Sequence, residues 1–175
     1  MKLRQVDKDT ASSSASLVVE GIDNDSVYMV VVRNLHVSND NTNIWVRVNN
    51  SGTAQTNTYY QEAGEFLDST TAHGDKHNLN ATKFVAHIAI GNVSPESANA
   101  IYMLYNFNDA SSNSTITMRT VDSTTDNRVK GYIASGYRNI NEANDGITIL
   151  PASGNFASGE VTLYEVLQWV TVMGM

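Results

Sequence analysis

The chain has 175 residues, a length typical of one domain with a single hydrophobic core. Its formal net charge of −7, with only 11 scattered Lys and Arg residues, argues against a nucleic-acid partner, which needs clustered positive charge. It contains no cysteine, which excludes disulfides and thiolate metal sites.

Asn, Ser and Thr together make up roughly 30% of the chain, more than is usual in globular proteins. Their short side chains hydrogen-bond to nearby backbone, which favours turns and solvated strand faces over helix interiors. No segment is apolar over the length of a membrane span, and residues 1–8 lack the apolar core of a signal peptide. The sequence therefore predicts an all-β protein that is made in the cytoplasm and does not insert into membranes.

The chain begins with a polar segment, residues 1–14, which predicts an N-terminal arm or linker. Residues 16–21 form the first predicted strand. The second, residues 27–37, opens with an unbroken apolar run, which indicates a central strand covered on both faces. The third, residues 44–48, alternates from Ile44 and places Trp45 and Arg47 on the face opposite to the predicted core.

The next part of the chain, residues 49–82, is weakly patterned and allows two interpretations. It forms either short irregular strands or a long excursion from the sheets, and a short helix fits only within residues 57–67. Regular alternation returns after it and continues to the C-terminal end. The strands predicted there are residues 83–91, 100–107, 114–121, 129–137, 146–150 and 160–172.

These segments are separated by turns rich in Asn, Asp, Gly and Ser, and no repeat of fixed period is present. Eight to ten strands with this spacing predict an antiparallel β-sandwich with a jelly-roll-like arrangement. The sandwich is predicted over residues 15–166. It is followed by an apolar extension, residues 167–175.

The C-terminal part of the chain carries a family resemblance. Residues 153–159 (SGNFASG) form a glycine-rich turn before a strand that contains Leu163-Tyr164-Glu165-Val166. This pair of motifs resembles the ending of small β-sandwich structural proteins of tailed bacteriophages. The earlier parts of those domains are resembled, in the same order, by residues 11–17, 21–23, 27–33, 47–48, 51–53 with Tyr59, 104–107 and 145–147. Two features depart from the pattern: Glu165 stands where the relatives have Gly, and residues 167–175 continue beyond it.

The resemblance implies a protein of the virion, made in the host cytoplasm, that is not an enzyme and needs no cofactor. It implies a capsid decoration or cement protein, or a head or tail appendage subunit. The partners would be further copies of the chain, as a homotrimer or other cyclic oligomer, and the major capsid protein or tail and portal components. The alternative is a tail-fibre module that binds a host-surface glycan.

Apolar residues at the two ends of the chain are the predicted interface residues, because exposed apolar groups usually mark contacts. The extension either completes the protein's own sandwich or is buried in a neighbouring subunit. The candidates are Leu3, Val6, Leu167, Trp169, Val170, Val172 and Met173.

Other patterns have a chemical and a structural interpretation, and the structural one is favoured throughout. His73 and His77 flank Asp75 with metal-ligand chemistry, but the glycine and lysine between them favour a solvated loop. Acidic turns at residues 23–25, 39–43 and 122–126 offer oxygen ligands for Ca²⁺, and turn propensity explains them equally well. Two further sets are the carboxylates of a sugar-cleaving site (Glu62, Glu65, Asp68) and aromatic rings that could stack on a glycan (Trp45, Tyr59, Tyr60, Tyr132, Tyr137).

Overall fold

The protein is an antiparallel β-sandwich, as the sequence predicted. The computed structural model describes residues 2–70, 73–124 and 128–167, and these contain thirteen strands and no helix. The strands are β1 (Lys2–Thr10), β2 (Leu17–Glu20), β3 (Tyr28–Val37), β4 (Thr42–Asn50), β5 (Thr53–Ala54), β6 (Tyr60–Asp68), β7 (Gly74–Ala81), β8 (Phe84–Ile90), β9 (Ala98–Tyr105), β10 (Asn113–Thr124), β11 (Arg128–Asn141), β12 (Gly146–Pro151) and β13 (Phe156–Leu167).

The strands form two sheets. The larger has eight strands in the order β1-β13-β3-β9-β10-β11-β6-β7, and every pair in it is antiparallel. The smaller has the order β2-β12-β4-β5, with β8 also paired to β4. In the large sheet β9, β10 and β11 are consecutive along the chain, as are β6 and β7, whereas the pairs β1–β13, β13–β3, β3–β9 and β11–β6 join distant parts of the chain. This exchange of strands between two sheets is jelly-roll-like.

The core lies between the sheets and consists of alternate residues of each strand. Val30 and Val32 of β3, Ile44 and Val46 of β4, and Tyr102 of β9 are all at most 2% exposed. Their neighbours in sequence point to the opposite faces, as the period of two requires. β3 does occupy a central position, but its outward residues are half-buried, so the prediction that both faces are covered was too strong.

The weakly patterned part of the chain forms strands β5, β6 and β7, and therefore neither a long excursion nor a helix. β6 occupies residues where the helix was considered. The inward face of β6 carries Glu62 between Tyr60 and Gly64. Because an acid and a glycine stand at inward positions, β6 lacks the apolar alternation expected of a half-buried strand.

The N-terminal segment differs from the predicted arm or linker, because Lys2–Thr10 form β1, the edge strand of the large sheet. β1 is also joined to the small sheet: the carboxylates of Asp9 and Asp7 accept hydrogen bonds from the amides of Val18 and Glu20 in β2, both at 2.9 Å. Leu3 and Val6 are the only apolar residues of β1 and do not alternate with polar ones, which is why the sequence did not reveal the strand.

Candidate functional site

The candidate site is the outer face of the large sheet, defined as the outward-pointing residues of β9, β10, β11, β6 and β7. Solvated sheet faces usually alternate polar residues against the buried set. Here six large apolar side chains on five adjacent strands are between 44% and 70% exposed. They are Ile101, Val121, Val129, Ile133, Leu67 and Leu79.

Strand register places these side chains in neighbouring rows across the face. Arg119 of β10 lies between Ile101 of β9 and Ile133 of β11, and Ile133 is followed by Glu65 of β6. In the next row Val121 is separated from Leu67 of β6 by Gly131. Val121 is therefore a diagonal neighbour of Ile101 and Ile133, and Leu67 is a diagonal neighbour of Ile133. Diagonal neighbours are about 7–8 Å apart, within reach of large side chains, so the apolar groups form one patch.

The patch contains open depressions where side chains are small. One, of about 470 Å³, is lined by Gln61, Ala63, His77, Thr117, Ser135 and Tyr137 together with neighbouring residues of the same strands. A second, of about 330 Å³, lies over Gly131 between Val121 and Leu67. The face therefore has projecting apolar side chains with hollows between them, and side chains of a protein partner can fit into these hollows.

Charge is distributed unevenly over the face. The β10 side carries Arg119, while the β6 and β7 side carries Glu65 and Asp75, and all three side chains are exposed. Arg119 and Glu65 are both paired in register with Ile133, so one apolar residue separates these two opposite charges. The arrangement is positive on one side of β11 and negative on the other.

The predicted interface residues that the structure describes lie at the other edge of the large sheet. Leu3 is exposed on β1 and is paired in register with Val166. Val6 lies at a register shift between Gln5 and Asp7 and packs against the core. Leu167 is the last described residue, and it pairs with Lys2. The candidates Trp169, Val170, Val172 and Met173 lie outside the described residues.

A second feature is a buried polar cluster beneath β8. His87 Nδ1 lies 2.6 Å from the Asp122 carboxylate, and His87 Nε2 lies 2.9 Å from the Tyr102 hydroxyl. All three side chains are at most 2% exposed. Burial raises the pKa of Tyr102 well above its usual value, and the Asp122 charge adds to it, so the hydroxyl keeps its proton. This cluster satisfies its own polar atoms within the core, which indicates a structural role.

A cavity of about 110 Å³ adjoins this cluster and is lined by Phe66, Asp68, Ile88, Asp122, Lys130, Gly131 and Tyr132. The Tyr132 hydroxyl is buried and has no hydrogen-bond partner among the described residues. Burial raises the pKa of Tyr132, and the charge of Glu62 acts in the same direction. The cavity has room for a few water molecules, which would hydrate this hydroxyl.

The three carboxylates considered for sugar cleavage are not brought together. Glu62 points inward, where it accepts hydrogen bonds from the Val85 amide and the Asn78 side chain, and burial raises its pKa. Glu65 points outward on the same strand. Asp68 shares the inward face with Glu62 but lies six residues further along, about 20 Å in an extended strand. Glycosidase carboxylates are at most about 9.5 Å apart.

Of the two histidines considered for metal binding, His73 directly precedes β7 and His77 lies within it, and both are exposed. Residues i and i+4 of a strand share a face, but they are about 13 Å apart, too far for one ion. No group of three or more His, Asp or Glu residues that could hold a metal occurs in the described part of the chain. Of the acidic turns, residue Asp122 lies within β10 in the buried cluster, so it is not a loop ligand.

The aromatic candidates are divided between core and surface. Tyr60 and Tyr132 are buried and unavailable to a sugar. Tyr59 is exposed, and the ring of Trp45 has Lys83 Nζ 3.9 Å from its centroid. Tyr137 lies on the outer face, where its hydroxyl is 3.0 Å from Gln61 Oε1.

Sequence reasoning missed the outer face, although one signal was present. In residues 100–107 both sets of alternate residues are apolar, Ile101 and Met103 on one face and Tyr102 and Leu104 on the other. The structure places Tyr102 and Leu104 in the core. When only one side of a strand is covered by the core and its other face is also apolar, that other face indicates a contact surface.

Comparisons with known proteins add no family. No protein-family model matches the sequence, and no curated protein matches it. Among solved structures, the chain is similar to the exoplasmic/lumenal domain of VIP36 in a crystal form with Ca²⁺ and Man3GlcNAc bound. The identity is 9%, the match covers 94% of this chain and 86% of that chain, and the TM-score is 0.24. Similarity at this level carries no argument about function. No helix within the described ranges is long and apolar enough to cross a membrane.

Proposed function

We propose that this protein is a non-enzymatic structural protein of a tailed-phage virion, a capsid decoration or cement protein or a head or tail appendage subunit. Its chemistry is the burial of surface against other proteins. The observation that carries the proposal is the apolar outer face of the large sheet, because a sheet face that remains in water is normally polar. The order of the phage-like sequence motifs supports the assignment to the virion.

The mechanism follows from the surfaces available. The outer face offers apolar area and charges for contact with further copies of the chain or with a capsid or tail protein. The second available surface is β1, at the end of the large sheet, whose charged side chains at Lys2, Arg4 and Lys8 discourage unspecific strand pairing. Stable association requires about 1,200–2,000 Å² of total buried surface.

Arg4 also joins β1 to its own sheet. Its guanidinium Nε lies 2.7 Å from Glu165 Oε2, and Ser26 donates to the other carboxylate oxygen at 2.9 Å. Burial of Glu165 works against ionisation, but these hydrogen bonds outweigh it and lower the pKa of the carboxyl. The residue that departs from the phage-like motif therefore has a role in this chain: it fixes the edge strand.

Co-sedimentation of the purified protein with phage particles tests the proposal. Saturable binding at a fixed ratio to the major capsid protein supports decoration, and binding to isolated tails supports an appendage. The test variant is Ile101→Asp, which changes the outer face without touching the core and should weaken this binding. Absence of binding to heads and tails by a folded protein would overturn the proposal.

The alternative, a glycan-binding module, is favoured by one observation. The 470 Å³ depression places the Tyr137 ring beside the side chains of Gln61, Thr117 and Ser135, the combination of an aromatic face and polar groups that sugars bind. A glycan array with the wild-type protein and a Tyr137→Ala variant tests it. Binding that the variant abolishes supports this function, and an array without signal removes it.

A further inference from the structure

We infer that the outer face of the large sheet pairs with the same face of a second copy, in a two-fold dimer whose axis runs along β11. This inference deepens the proposed function, since it names the partner of the proposed contact surface. It rests on a self-complementary pattern in the strand register.

The pattern becomes visible when two sheets are stacked face to face with a two-fold axis parallel to β11. Such an axis places β10 of one copy opposite β6 of the other, at the same height along the strands. Aligned sheets pack in this way about 10 Å apart. Every residue of β10 then faces the β6 residue that shares its register row.

The charged row is complementary under this operation. Arg119 and Glu65 are both paired in register with Ile133, one on each side of it. The axis brings Arg119 of each copy opposite Glu65 of the other and Ile133 opposite Ile133. The contact contains this ion pair twice, at the two sides of an apolar centre. Isologous contacts have this reciprocal form.

The neighbouring rows are complementary in size and polarity. Val121 faces Leu67 across the axis, and the hollow over Gly131 lies between them. On the other side of the charged row, Thr117 faces Ala63. At the rim, Asp75 of β7 faces Ile101 of β9, a pairing that remains in contact with solvent.

The area available suits a stable dimer. Five strands from β9 to β7, spaced by about 4.8 Å, and about nine residues of each at about 3.4 Å cover roughly 700 Å² per copy. A specific interface buries about 800 Å² per partner. The remaining strands, β3, β13 and β1, lie beyond the overlap and stay available for a virion partner.

Analytical ultracentrifugation of the full-length protein over a range from about 1 to 100 μM tests the inference. We expect the wild type to dimerise within this range. Ile133→Asp should raise the dissociation constant by at least about 100-fold, because it buries two facing carboxylates. The matched control is Leu3→Asp on β1, an equivalent change on an exposed apolar residue five strands away from β11, and it should leave the dissociation constant within about twofold.

A charge exchange makes the test specific to the proposed geometry. Arg119→Glu or Glu65→Arg alone places like charges opposite each other twice and should weaken the dimer at least about tenfold. The double variant should restore the wild-type value to within about threefold. Circular dichroism checks that each variant is folded; the side chains of Arg119 and Glu65 are both exposed, so the core is unchanged.

A wild-type protein that stays monomeric at 100 μM would overturn the inference, as would a dimer that Leu3→Asp disrupts or a double variant that fails to restore association. These outcomes are independent of the virion assignment. A dimer that binds neither heads nor tails leaves the inference intact and overturns the proposed function. A monomer that binds virions does the reverse.

Discussion

Removal of the Asp122 carboxylate is expected to destabilise the protein strongly. Asp122 Oδ1 accepts a hydrogen bond from His87 Nδ1 at 2.6 Å, and both side chains are at most 2% exposed. A ring that donates from Nδ1 accepts the Tyr102 hydroxyl at Nε2, 2.9 Å away. The three groups connect β8, β10 and β9, so the cluster ties β8 to the large sheet.

The magnitude follows from what each variant leaves behind. Asp122→Ala leaves the buried His87 Nδ1–H without an acceptor, which costs about 1–3 kcal/mol, and the cavity left by the carboxylate adds to this loss. Asp122→Asn keeps an acceptor oxygen of the same shape and loses only the charge, so its cost should be about 1–2 kcal/mol. Tyr102→Phe removes one neutral hydrogen bond and leaves Nε2 unpaired, at about 1–3 kcal/mol.

Urea unfolding followed by tryptophan fluorescence measures these differences, provided that the slopes of the transitions agree. The expected order of destabilisation places Asp122→Ala first and Asp122→Asn last. An alanine variant that loses less than about 1 kcal/mol would refute the reasoning, because it would mean that the cluster is hydrated. Equal losses for alanine and asparagine would show that the charge, and not the hydrogen bond, matters.

Three further predictions concern the edge, the buried acid and the close packing of the sheets. The double variant Asp7→Ala/Asp9→Ala removes the acceptors of two β2 amides and should lower the free energy of unfolding in urea by about 1–3 kcal/mol. Unchanged stability would mean that water takes the place of the two carboxylates. Burial raises the pKa of Glu62 above its ordinary value of 4.5, so ionisation of the carboxyl in the folded state costs folding free energy. The variant Glu62→Gln should therefore gain stability relative to wild type as pH rises above 4.5. A difference in stability that stays constant from about pH 4 to 7 would contradict this. Gly136→Ala would bring a Cβ within 2.7 Å of a Phe84 ring carbon and should lower the free energy of unfolding by about 1–3 kcal/mol. An unchanged melting temperature would show instead that the ring moves aside at no cost.

The strands that the sequence predicted are those with one apolar and one polar face. In the part of the chain that the structure describes, all nine predicted segments overlap strands, namely β2, β3, β4 and β8 to β13; residues 168–172 of the last predicted segment lie outside that part. In β4, for example, Ile44 and Val46 are buried and Trp45 is half-buried on the other face, as expected. This agreement follows from the period of two, which is local information.

The strands that were missed have no such asymmetry. β1 shows no apolar alternation, because its two apolar residues, Leu3 and Val6, are three positions apart, and its pairing with β13 joins residues at least 150 positions apart. β6 carries Glu62 in the core, where Asn78 and the Val85 amide satisfy it. Buried acids of this kind depend on partners from other strands, and no local pattern predicts them.

The candidate surface was likewise beyond the sequence. Ile101, Val121, Ile133 and Leu67 come from four segments spread over residues 60–141, and each by itself is an ordinary apolar residue in a strand. Only strand order and register bring them to one face and place Arg119 and Glu65 on opposite sides of Ile133.

Composition and alternation by themselves determined the β class, the positions of most strands and the inward residues, because these depend on turn propensity and on which side of a strand is apolar. Only the tertiary structure shows four features: the order of strands in the two sheets, the course of the N-terminal segment, the His87–Asp122 cluster and the shape of the outer face. They depend on pairings between distant segments, whose free energy comes from contacts that no local stretch of sequence contains.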